Sequence, residues 1–158
     1  SINNLENNIL IVPIPLTNKE NIFLIMKEGQ FTEGGALNSF GENWNFEGKN
    51  FKSEMNYQLF GTTINYLIDS NILEIPDYIK IDVDGIEHLI LEGANKYLKH
   101  KKIKSLSIEI NENFEEQYKK VLNIMLKNEF KVLHKKHNKD MLNNSSKFSK
   151  TYNYVFIR

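Results

Sequence analysis

The chain has no cysteine among its 158 residues. A disulfide scaffold, a Cys-ligated zinc or iron–sulfur site and a thiol nucleophile are therefore excluded. Arginine is nearly missing too, because the 20 basic residues are 19 lysines and Arg158. Net charge is also absent: 20 basic residues balance 20 acidic ones. A neutral total supplies no global attraction to nucleic acid or to an anionic membrane, and neither is expected as a partner. No apolar run approaches the roughly 20 residues needed to span a bilayer. No secretory signal pattern is visible, and the expected location is the cytoplasm. What is present is ordinary globular composition, 41% hydrophobic and 25% charged, at a length that fits one domain over residues 1–158.

Five of the eight glycines fall in the stretch 29–50 (Gly29, Gly34, Gly35, Gly41 and Gly48), which reads as a long loop within the domain. Before it, the apolar runs Asn8–Val12 and Asn21–Met26 can form an antiparallel pair. After it the pattern becomes regular. Thr62 or Thr63 can cap a short helix carrying Ile64, Leu67 and Ile68 at helical spacing. Residues 78–83 and 104–110 read as strands. Between them, Ile86, Leu89, Ile90, Tyr97 and Leu98 mark a helix. Asn113 can cap a further helix, with Phe114, Tyr118, Val121, Leu122, Met125 and Leu126 as its apolar stripe. Residues 130–133 and 152–157 read as two last strands, with a polar loop from His137 to Lys150 between them. Strand–helix alternation of this kind indicates an α/β sheet with parallel neighbours. The last two strands have no helix between them, so they form an antiparallel pair at the sheet's edge.

Ligands of open α/β sheets bind beyond the carboxyl ends of the strands. Two strand ends here carry polar groups: Asp82-Val-Asp84-Gly85-Ile-Glu87-His88, and Glu109-Ile-Asn111-Glu112. A right-handed crossover would make these strands neighbours and turn Asp82, Asp84, Glu109 and Asn111 toward one crevice. Asp82 reads as lying inside an apolar strand, where an uncompensated carboxylate is costly, and this points to a function. Asp84 and Glu87 have a second reading as ordinary helix-start residues. His88 reads either as a ligand beside Asp82 and Asp84 or as a half-buried histidine. Gly34-Gly35 is a weak phosphate-loop candidate. Phe40, Trp44 and Phe46 can either pin the long loop to the core or close over a ligand. His134-Lys-Lys-His137 reads as a solvated edge strand. There is no P-loop and no nucleophile elbow.

The segment Ile79-Lys-Ile-Asp-Val-Asp-Gly-Ile-Glu87 resembles the hallmark of the FkbM family of S-adenosylmethionine-dependent methyltransferases. That hallmark is I-K-I-D-V-(D/E)-G-x-E followed by a helix ending in Gly-Ala, here Gly93-Ala94. Leu106-Ser-Ile-Glu-Ile110 resembles the family's next strand. Thr62-Thr-Ile-Asn-Tyr-Leu67 resembles its T-L-D-x-L segment, with Asn65 in place of Asp, and Asn18-Lys-Glu20 and the loop through Ser39 resemble its middle region. The resemblance implies a Rossmann-like class I methyltransferase sheet of order third-second-first-fourth-fifth-seventh-sixth. The family's glycine-rich cofactor turn does not occur here. The chain therefore reads as the C-terminal portion of such a domain, an incomplete sheet whose cofactor-binding residues are unknown. Its exposed edges invite homo-oligomerisation. By resemblance, the reaction is methyl transfer from S-adenosylmethionine to a hydroxyl of a glycan or small natural product. Asp82 would be the catalytic group that orients the acceptor or takes its proton, and Asp84, Glu87, Glu109 and Asn111 would face the acceptor. No metal is expected.

Two other readings stay open. Asp82-Val-Asp84 is a D-x-D, the metal handle of many glycosyltransferases. A truncated, non-catalytic domain that keeps only fold and partner surface is the other.

Overall fold

The computed structural model describes residues 8–29, 36–137 and 148–158. Strands β1 (Ile22–Glu28), β2 (Ser39–Phe40) and β3 (Met55–Gly61) make a small antiparallel sheet of order β2-β1-β3. Strand β1 falls where the apolar run at 21–26 places it, but its partner is not the run at 8–12. Those residues form no strand, and Ile9, Leu10 and Ile11 are exposed. Pro13 and Pro15 offer no ladder donors in the segment that follows. Only Leu16 continues into a bridge, pairing with Thr62. The true partner is β3, in register from Ile22 opposite Gly61 to Glu28 opposite Met55. The expected long loop is partly ordered as well. It contains β2, and Trp44 bridges Asn50 across a turn in which the Asn45 side chain accepts the N–H groups of Glu47 and Lys49, each at 3.0 Å. Gly34-Gly35 and most of the expected 137–150 loop lie outside the described residues.

Helix α1 (Ile64–Asp69) begins at Thr63, whose backbone is extended and whose side-chain oxygen accepts the Tyr66 N–H at 3.0 Å. This is the ordinary N-cap arrangement. Leu67 and Ile68 are its buried residues.

The second sheet holds β4 (Tyr78–Ile81), β5 (Ser105–Asn111), β6 (Lys131–His137) and β7 (Thr151–Ile157) in the order β4-β5-β7-β6. β4 and β5 are parallel and in register from Tyr78 opposite Ser105 to Ile81 opposite Ile108. β7 is antiparallel to both β5 and β6. The antiparallel pair is thus present, with β6 at the edge and β7 inside the sheet. Exposed Lys131, Lys135 and Lys136 on β6 agree with the solvated reading of that strand. The opposite edge, along β4, carries no ladder among the described residues.

Helices α2 (Glu87–Glu92) and α3 (Glu115–Lys127) pack against each other and against β5. α2 is shorter than the apolar pattern through Leu98 suggests. It stops at Gly93, whose carbonyl accepts the Asn65 N–H at 2.9 Å instead of continuing the helix. A Cβ at Gly93 would lie 2.3 Å from the Thr17 carbonyl oxygen, so only glycine permits this approach. α3 starts at Phe114 without a side-chain cap. Asn113 is not the cap, and its N–H is instead accepted by Asn111 Oδ1 at 3.0 Å. Val121 and Met125 are buried on α3, whereas Leu126 is 74% exposed because it lies a further 100° around the helix.

The core runs through α2, β5, α3 and β7. Leu91, Leu98, Leu106, Ile108, Ile110 and Val121 have no exposed surface. Each is worth about 1.5–3 kcal/mol of transfer free energy. Leu106, Ile108 and Ile110 are consecutive on one face of β5, and Ser105, Ser107 and Glu109 stand half-buried on the other.

Candidate functional site

The site forms where β4 and β5 end side by side. β4 stops at Ile81, so Asp82 stands just beyond the strand and not inside it. Its side chain is 42% exposed and pairs with Lys80 Nζ at 2.5 Å. The expected penalty of a buried carboxylate therefore does not apply to Asp82. The ion pair holds the Lys80 ammonium above its usual range, first through the hydrogen bond and then through the charge of Asp82.

Asp84 behaves differently. It is half-buried, and its Oδ2 accepts the backbone N–H groups of Leu37 at 2.6 Å and Asn38 at 3.3 Å. Burial raises its carboxyl above the normal range despite these bonds, and the charge of Asp82 adds to the effect. The next residue, Gly85, has φ +103°, and a Cβ there would press on the Phe46 Cα and the Asn45 carbonyl. The chain can turn from strand to helix under the 36–51 segment only because this residue is glycine.

That segment roofs the site through three ties. Asp84 holds Leu37 and Asn38, Trp44 Nε1 donates to the Gly85 carbonyl at 3.2 Å, and Asn111 Nδ2 donates to the Phe46 carbonyl at 3.2 Å. Phe40 is buried in the core, and Trp44 packs between the rings of His88 and Phe114. Of the two roles open to these aromatic side chains, pinning the loop is the one observed for Phe40 and Trp44.

Beneath the roof is a cavity of about 340 Å³. Leu16, Met26, Phe40, Ile86 and Ile90 form its apolar walls, and Asp82, Asp84 and Asn38 supply polar groups. A much smaller cavity of about 20 Å³, half polar and half apolar, lies on the other side of Val83–Asp84, lined by Glu87, Glu109, Asn111, Gln117 and Thr151 among others.

Glu87 is only 2% exposed. Its carboxyl is pushed up to about 8 by burial, against backbone N–H bonds from Glu87 itself, Gly85 and Val83. Gln117 on α3 donates its side-chain amide to Glu87 Oε2. Glu109 is also raised, by burial first and then by the charges of Asp82 and Asp84. Glu112, at the same strand end, turns away to accept from Lys135 and from the Tyr154 hydroxyl. His88 is buried, with Nδ1 unpartnered. Burial lowers its pKa, and the charge of Lys120 adds to this.

The structure brings Asp82 and Asp84 to the larger cavity, and Asp84, Glu87, Glu109 and Asn111 to the smaller one. Sequence reasoning did not find Gln117 or Thr151. Gln117 had a signal, because it is a polar residue four positions before Val121 on the buried side of α3. Thr151 had none beyond its place at the head of a strand. Among the described residues no group of three His, Asp or Glu side chains gathers as a metal site. The D-x-D pair is divided, with Asp82 on Lys80 and Asp84 on backbone N–H groups.

No curated protein and no solved structure matches the chain. The family model of the methyltransferase FkbM domain matches residues 18–132, a span that contains β1 to α3, both acidic strand ends and the lining of the 340 Å³ cavity apart from Pro15 and Leu16. The chain therefore belongs to the FkbM methyltransferase domain family.

Proposed function

We propose that this domain transfers a methyl group from S-adenosylmethionine to a hydroxyl of a glycan or small natural product in the cytoplasm. The observation that carries the reading is the cavity at the end of β4, whose lining lies in the stretch that the family match covers except for Pro15 and Leu16. Its volume is at the lower end for small-molecule sites. The strand order β4-β5-β7-β6 supports a Rossmann-like reading, since it is that of the fourth, fifth, seventh and sixth strands of a class I methyltransferase sheet.

The residues present suit such a cofactor in part. Leu16, Met26, Phe40 and Ile86 accept a ring or alkyl group, and Asp82 and Asp84 favour a cationic or hydroxyl-bearing group. The cofactor supplies an electrophilic methyl on a sulfonium. Methylation replaces the acceptor's O–H bond by an O–CH₃ bond, so the hydroxyl proton must leave. Asp82, exposed at the cavity, is the group for that proton or for orienting the acceptor, and Lys80 keeps its carboxylate in place. Asp84 fixes the roof over the bound acceptor. Glu87, Glu109 and Asn111 line the smaller cavity beyond Val83–Asp84 and back the acceptor site from behind, without lining the larger cavity themselves.

The test is transfer of isotopically labelled methyl from S-adenosylmethionine to a panel of hydroxyl acceptors, with the thermal midpoint read at increasing cofactor. A midpoint that rises with cofactor and label that appears in an acceptor are the expected results. A second reading is a partner-binding domain without catalysis, favoured by the edge of β4, which carries no ladder among the described residues. An unchanged midpoint, no label transfer and a defined oligomer would select it.

A further inference from the structure

The smaller cavity carries an inference independent of the methyl-transfer reading. Thr151 is 4% exposed, and its Oγ1 is a buried polar atom with no hydrogen-bond partner among the described residues. It stands opposite Asn111 in the β5–β7 ladder and lines the cavity with Glu87, Glu109, Asn111 and Gln117. A buried hydroxyl without a partner is a costly defect, and native proteins meet such groups with protein or with ordered water.

The space has the size for that. A cavity needs about 10–15 Å³ to hold one water and two to four polar partners to keep it. This one offers about 20 Å³, and its wall, half polar and half apolar, brings the side chains of Glu87, Asn111, Gln117 and Thr151 to the space. It is too small for a sugar ring or a phosphate.

We propose that this cavity is a binding site for a single water molecule, held by Thr151 Oγ1 together with the polar side chains of Glu87, Asn111 and Gln117. The water satisfies the Thr151 hydroxyl and couples the start of β7 to the α2–α3 contact, where Gln117 already holds Glu87. The high proton affinity of Glu87 agrees with this, because a protonated carboxyl has an O–H that needs an acceptor.

A crystal structure of the 158-residue chain, at a resolution that shows ordered solvent, tests the site directly. One isolated oxygen within about 3.2 Å of Thr151 Oγ1 is expected. Thr151→Val tests it energetically, since valine keeps the shape and removes the hydroxyl. With water bound, the variant loses an anchor and its thermal midpoint falls by about 2–4 °C. With a dry cavity, the same change removes an unpaired polar atom and the midpoint rises. Absence of the oxygen in the parent structure, or a variant midpoint no lower than the parent's, overturns the proposal.

Discussion

Gln117 donates its side-chain amide to the carboxyl of Glu87, from α3 to α2, and neither side chain has more than 2% of its surface exposed. A charged carboxylate is poorly tolerated there, so the folded protein keeps the proton. Unfolded, Glu87 titrates near 4.5; folded, near about 8. Between those values the folded state binds more protons than the unfolded one, so stability falls as pH rises and the loss is complete above the folded value. The loss is on the order of a few kcal/mol. Glu87→Gln mimics the protonated form and can still accept from Gln117. Denaturant midpoints measured across neutral to mildly alkaline pH should slope downward for the parent and lie flat for the variant.

His88 acts in the opposite sense. Burial holds it below its ordinary 6.5, so the folded state resists protonation and stability is lost as pH falls below that value. Groups facing it include Lys120, Glu92 and Glu116, and its ring lies against Trp44 and Phe114. In the Glu87→Gln background, where the opposing slope is gone, acid titration of the denaturant midpoint should show a decline that replacing His88 by Phe reduces.

Asp82→Ala should remove methyl transfer and leave the fold alone. Asp82 is exposed and its one ion pair is to an exposed lysine, so the stability change should stay within about 1 kcal/mol. Turnover by the variant in the active protein, set beside its urea midpoint, checks both parts. Parent-like turnover would remove Asp82 from the reaction.

Trp44→Ala should loosen the roof. The side chain packs on His88 and Phe114 and donates to the Gly85 carbonyl. Its loss should cost about 2–3 kcal/mol, less than for a fully buried tryptophan. Amide exchange should quicken across 36–51 and at Asn111, whose tie to Phe46 depends on the same segment.

Gly93→Ala should destabilise more than helix propensity alone suggests. Alanine is the better helix former, and the φ of −71° suits it. The added carbon would nevertheless collide with the Thr17 carbonyl oxygen. A lowered thermal midpoint is expected, where propensity predicts a raised one.

The segment from Tyr78 to Asn111 was legible because each part of it speaks locally. An apolar strand, a glycine turn, a periodic helix and a second alternating strand follow one another, and the crossover makes the strands neighbours. β3 was missed. Met55-Asn56-Tyr57-Gln58-Leu59 does alternate apolar with polar residues, but the run is short and follows the glycine-bearing stretch, and Met55, Tyr57 and Phe60 are exposed, so little buried surface marks it. Its existence depends on pairing with β1 at a distance in sequence. The family motif located Asp82 and Glu87 but not their contrast. One is at the surface on a lysine and the other is buried on a glutamine, and burial depends on α3, which the motif does not contain. The early stop of α2 at Gly93 likewise rests on a backbone contact with Thr17 that no local pattern encodes.

The position of β7 between β5 and β6 has a consequence for how the protein is made. A ribosome delivers β6 before β7, so for a time the emerging chain holds two strands whose shared neighbour has not yet been synthesised. Neither can settle against the other in the final arrangement. The open flank of β5, with Leu106, Ile108 and Ile110 beside it, stays available to other chains until residues 151–157 arrive. Production of this protein should therefore be sensitive to the speed of translation between the codons for β6 and β7 and to chaperones that shield unpaired strands.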